Sequence, residues 1–149
     1  MMTPLRTLAC ALAMSLAVFS LVSPACLPAA ENTVTLKGRV DTAGLEVSAG
    51  PFVVRALKLQ DRAVELGKTT AGTTGDFQLT VPEEMIALYG VVLEAAAANN
   101  LAIVLTANVL RMREATSPIV VNVPSTIETA IIDWRIKTHG KDFESVRPF

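Results

Sequence analysis

After position 26 this chain of 149 residues contains no cysteine; its only two, Cys10 and Cys26, stand near the N-terminus. The remainder therefore has no disulfide, no thiolate nucleophile and no cysteine-based zinc site. Histidine occurs once, as His139. A catalytic triad or a metal centre would need partners for it, and neither a serine elbow nor a His-x-x-x-His spacing is present. A cation near the end of a helix is a sufficient account of that histidine. Aromatic residues are scarce. Phe19 lies in an apolar leader, which leaves Phe52, Phe77, Tyr89, Trp134, Phe143 and Phe149. No polybasic cluster is present either, and that removes a global attraction to nucleic acid or to anionic lipid.

What is present begins with that leader. Residues 1–30 carry one charged side chain, Arg6, then an apolar stretch from Leu8 to Val22, then Ser-Pro-Ala-Cys-Leu-Pro-Ala-Ala. This is the three-part build of a secretory signal peptide. The apolar stretch falls short of the roughly 20 residues of a membrane span. Two cleavage points are open. Cutting after Ala30 places Pro28 and Ala30 at the −3 and −1 positions. Cutting after Ala25 places Ser23 and Ala25 there and leaves Cys26 as a new N-terminus, where a lipoprotein is acylated, although Ser23 and Pro24 depart from the usual lipoprotein box. The expectation is export to the periplasm or the cell exterior, with membrane contact only through the signal or a lipidated Cys26. The following 119 residues carry 12 basic and 14 acidic side chains. They suffice for one domain that folds without staples.

Along that domain the periodicity is mostly two. Val34, Leu36, Gly38 and Val40 alternate with Thr35, Lys37 and Arg39, which predicts a half-buried strand. Asp41 to Pro51 holds two glycines and a proline and reads as a loop. Phe52 to Leu59 predicts a second strand, with Val53, Leu57 and Leu59 on one face and Arg55 interrupting it. Val64 to Thr70 predicts a third, broken by Gly67. A Gly-rich turn over 71–76 leads to a fourth in which Phe77, Leu79 and Val81 point inward and Gln78 and Thr80 outward. Pro82-Glu83-Glu84 suits the opening of a helical turn that Gly90 closes. Val91 to Ala97 and Leu101 to Leu110 flank Asn99-Asn100. A hairpin accounts for the alternation of Leu101, Ile103, Leu105, Ala107 and Val109, while the alanines of 95–98 leave one long helix as the alternative. Ile119 to Val123 predicts the last strand.

The period then changes. Ser125-Thr126-Ile127-Glu128 reads as a capping box, and Ile127, Ala130, Ile131 and Trp134 recur at helical spacing behind it. This predicts a helix over 126–138 with Ile127, Ile131 and Trp134 against the sheet. Residues 141–149 form a tail whose Phe143, Val146 and Phe149 are apolar enough to dock. The expected organisation is a leader at 1–30, a seven-stranded Ig/transthyretin-like β-sandwich at 31–124, mainly β, and a C-terminal helix and tail packed on it at 125–149.

No motif carries chemistry. Gly67-Lys68-Thr69 resembles the end of a phosphate loop, but the glycine needed five positions earlier is Arg62. Asp41, Asp61 and Asp76 fall in separate turns, whereas calcium needs clustered oxygens. Glu83 and Glu84 are adjacent and do not face each other across a bond. Neither catalytic residues, nor cofactor, nor metal ligands are therefore expected. Trp134 is expected to pack, so Tyr89, in a loop beside Gly90, is the one aromatic candidate for a carbohydrate platform.

The runs GRV at 38–40, GPFVVRALKL at 50–59 and TTAGTTGDFQLTVP at 69–82 resemble the carboxypeptidase regulatory-like domains, the transthyretin-like β-sandwiches of exported bacterial proteins. Gly38, Val40, Ala56, Gly75, Asp76, Phe77 and Pro82 fit their pattern. VVLEA at 91–95, LTANVL at 105–110 and VNVPSTIETA at 121–130 resemble the segment that follows in some bacterial envelope proteins. The resemblance implies a non-catalytic module for protein interaction or structural support in the cell envelope. Its partner would be another envelope protein or a second copy. The alternative it leaves open is a module that binds a glycan or another envelope polymer.

Overall fold

The computed structural model describes residues 31–45 and 51–139. The leader reading of residues 1–30, Cys26 included, and the tail beyond His139 lie outside them. The described chain is mainly β. Its elements are β1 (Thr33–Val40), β2 (Phe52–Lys58), β3 (Glu65–Thr70), β4 (Asp76–Pro82), α1 (Glu83–Leu88), β5 (Val91–Ala97), β6 (Asn100–Val109), α2 (Met112–Ala115), β7 (Ile119–Val121) and α3 (Val123–His139).

The seven strands form two sheets, one of three strands in the order β4-β1-β7 and one of four in the order β3-β2-β5-β6. All pairings are antiparallel except β1 with β7. Alternation supplies each sheet with one apolar face. Leu36, Val40, Phe77, Leu79, Val81 and Val121 from the first sheet meet Phe52, Val54, Leu93, Ala95, Leu105 and Val109 from the second in one buried cluster. The result is a sandwich-like pair of sheets around a shared core.

The fourth strand has the expected register, with Phe77, Leu79 and Val81 buried and Gln78 and Thr80 exposed. The hairpin is also as expected: β5 and β6 pair from Val91↔Val109 to Ala97↔Asn100. The alternation of β6 outweighs the helix propensity of the alanines, because Ala95 and Ala97 are fully buried where larger side chains would hold the sheets apart.

Four details differ from the sequence expectations. In β2 the core face is Phe52, Val54 and Ala56, while Val53 and Arg55 lie on the outer side. Leu57, paired with Val92, and Leu59 share that outer side and are buried there. β3 runs through Gly67 without a break, paired with Ala56. The C-terminal helix opens at Val123 rather than behind Ser125. Asn122 caps it: the Asn122 Oδ1 accepts the Ser125 N–H at 2.9 Å, and the Ser125 Oγ accepts the Asn122 N–H at 2.9 Å. Pro124 falls in the first turn, where its missing N–H costs nothing. The short α2, held by Glu114, was not foreseen; the Glu114 carboxylate accepts the N–H groups of Leu110 and Arg111.

Two glycines are required where they stand. A Cβ on Gly38 would lie 2.3 Å from the Ile119 carbonyl oxygen and 2.6 Å from the Phe77 ring. Gly75 has φ +84°, and its carbonyl accepts the Val40 N–H at 2.9 Å, closing β1 against the turn before β4.

Candidate functional site

The helix α3 is fastened to the outer side of the four-stranded sheet along a narrow stripe. Its first turn meets β6, which is the last strand of that sheet. The Thr126 Oγ1 accepts the Thr106 N–H at 2.8 Å, and the Ser125 Oγ donates to the Thr106 carbonyl at 2.7 Å. One turn later the Asn108 side-chain amide donates to the Thr129 Oγ1 at 3.0 Å, and Thr129 donates in turn to the Ser125 carbonyl. Further on, Ile132 joins Leu59, Val92 and Leu110 in a second buried cluster, with Ile136 packed against it. Asp133 pairs with Arg62 of the β2–β3 connection at 2.5 Å. The inward stripe is thus 125, 126, 129, 132, 133 and 136, four of its six residues polar, with Thr129 and Ile132 buried and the rest half-buried.

The expected apolar stripe faces the other way. Ile127, Ile131 and Trp134 are 58%, 47% and 55% exposed. At 100° per residue they lie opposite Thr129 and Ile132. The reading that set them against the sheet is corrected, and the reason is geometric. The helix must first satisfy the unpaired backbone of β6, and that task selects the face bearing Ser125, Thr126 and Thr129. The outward apolar stripe is continuous, at i, i+4 and i+7, unlike scattered single apolar residues that need no explanation. Glu128 and Arg135 flank it, both exposed.

The other singled-out residues do not converge on it. Tyr89 caps the end of α1 and is half-buried, with the Lys58 Nζ 3.8 Å from its ring centroid. Asp41 and Asp61 each accept the N–H two residues on, from Ala43 and Ala63, and Asp76 holds Thr74 and Arg39. Glu83 and Glu84 open α1 and line a shallow cleft with Asn32. His139 is the last residue of α3. Among the described residues no group of three His, Cys, Asp or Glu side chains could hold a metal ion. No helix among them is long and apolar enough to cross a membrane.

One groove adjoins α3. It has a volume of about 390 Å³ and is lined in part by Asn108, Glu114, Ser117, Ser125 and Glu128. The Asn108 Oδ1 is buried there without a hydrogen-bond partner. That oxygen is closed off from solvent, and Glu114 is committed to capping α2, while Arg113 and Glu128 also line the groove. Compared with known proteins, the chain matches no family model, and no curated protein or solved structure matches it.

Proposed function

We propose that this chain is an exported, non-catalytic β-sandwich module that serves protein interaction or structural support in a bacterial cell envelope. The finer assignment, a transthyretin-like domain of the carboxypeptidase regulatory kind, rests on the motifs at 38–40, 50–59 and 69–82. Export rests on the leader at 1–30, and a lipidated Cys26 is the form that would hold the module at a membrane.

The observation that carries the interaction reading is the outward stripe of α3. A helix that uses polar side chains to seal a strand edge and turns three large apolar ones to solvent bears a surface suited to another protein. The glycan reading draws no support from Tyr89, whose ring carries Lys58 over one face.

The test is in-cell cross-linking of the tagged protein in its native envelope, read by mass spectrometry. Recurrent protein adducts are expected. Hydrolytic turnover by the purified protein, abolished by one polar substitution, would overturn the non-catalytic reading.

A further inference from the structure

We propose that the outward face of α3 is a self-association surface, on which two copies of the chain pack their α3 helices antiparallel about a two-fold axis at Ile131. This rests on the interaction reading above and names the partner. The argument is the symmetry of the face about its own centre. Ile127 precedes Ile131 by four residues and Trp134 follows it by three, so reversing one helix against the other sets Ile131 on Ile131 and Ile127 beside Trp134 of the second copy.

The charges obey the same symmetry. Glu128 stands three residues before Ile131 and Arg135 four after, and both project from the same flank of the stripe, being seven residues apart and so nearly two turns. A two-fold axis perpendicular to the helices keeps that flank on one side of the pair. Glu128 of each copy then meets Arg135 of the other, twice over. Neither residue has an ion-pair partner among the described residues. A parallel pair would instead bring Arg135 beside Lys137 of the second copy, two like charges, since Lys137 lies on the opposite flank. A face shaped for a different protein or for a bilayer has no need of this match. Ala130, exposed beside the stripe, lets the helices approach closely. A single helix-on-helix contact falls at or below the roughly 1,200 Å² low end of specific interfaces, the size class of transient, reversible association.

The test uses the protein as exporting cells process it. Sedimentation equilibrium across micromolar to sub-millimolar concentrations should show a monomer–dimer equilibrium. Ile131→Glu should weaken it by about tenfold or more with the far-ultraviolet circular dichroism and the urea midpoint unchanged, because the side chain is exposed in the monomer. Glu128→Arg and Arg135→Glu should each weaken it several-fold, and the two together should restore it to within about twofold. A monomer at every concentration, or a dimer indifferent to all three variants, would overturn the proposal. A photo-cross-linking residue at position 131 in cells separates the levels. A self-adduct supports the dimer. An adduct to a different protein, or to lipid, overturns the second copy as occupant, and the former leaves the interaction reading standing. No protein adduct from position 131 or from any other surface position overturns both.

Discussion

The Thr126 Oγ1 accepts the backbone N–H of Thr106 at 2.8 Å, so a helix side chain fills the hydrogen-bond site that the next strand of a sheet would take. Ser125 does the same for the Thr106 carbonyl. An exposed strand edge is a template for pairing with other chains, and here α3 covers it. Replacing both residues, Ser125→Ala with Thr126→Val, leaves the Thr106 backbone and the helix cap unpaired. Each lost partner is expected to cost about 1–3 kcal/mol. Urea denaturation would measure the loss, and light scattering during refolding should rise as the β6 edge is uncovered.

Neighbouring isoleucines on α3 should respond very differently. Ile132 is 6% exposed within the cluster of Leu59, Val92 and Leu110, whereas Ile131 is 47% exposed. Ile132→Ala is expected to destabilise by about 3 kcal/mol through lost burial and the cavity left behind. Ile131→Ala should change stability by no more than about 0.5 kcal/mol. Equal effects in urea titrations would mean that the helix docks through its other face.

At Gly38 the expected outcome is loss of the fold's tight junction. The added methyl of Gly38→Ala would meet the Ile119 carbonyl and the Phe77 ring, forcing β7 away from β1 or displacing the ring. The cost should be about 2 kcal/mol or more, in the range of overpacked cores. Gly72→Ala is the control, since its Cβ would find only the Asp76 carbonyl at 3.7 Å. Thermal unfolding of the two variants should separate them clearly.

Arg62 and Asp133 tie the β2–β3 connection to the middle of α3. Both side chains keep some solvent exposure, so the pair should contribute about 1 kcal/mol or less. A double-mutant cycle with Arg62→Met and Asp133→Asn is expected to show that coupling, and it should shrink as salt is added.

Much of this architecture is legible along the chain. Alternation in Val34–Val40, Asp76–Val81 and Ile103–Val109 states which residues go inward, because a strand's side chains obey period two whatever the sheet around them. Gly75 marks the turn before β4, since its φ of +84° suits glycine alone. The core face of β2 is not legible in the same way. Its alternate residues are apolar on both sides, Val53 and Leu57 on one and Phe52, Val54 and Ala56 on the other, so pattern alone does not choose.

The helix marks the limit more sharply. Its existence follows from the change of period after Val123, and a chain of mainly β alternation ending in one helical segment was determined by sequence alone. Which side of that helix would be buried was not. Hydrophobicity favours Ile127, Ile131 and Trp134; the packed structure turns Ser125, Thr126, Thr129 and Ile132 inward instead, burying Thr129 and Ile132. The reason is that β6 is the edge of its sheet, a fact set by the strand order β3-β2-β5-β6 and written in no local pattern. Its unpaired Thr106 N–H and carbonyl take hydroxyl partners from Thr126 and Ser125, and the same face of the helix packs Ile132 and Ile136 on Leu59, Val92 and Leu110. Tertiary structure therefore decided the orientation of α3, and with it the surface the protein presents.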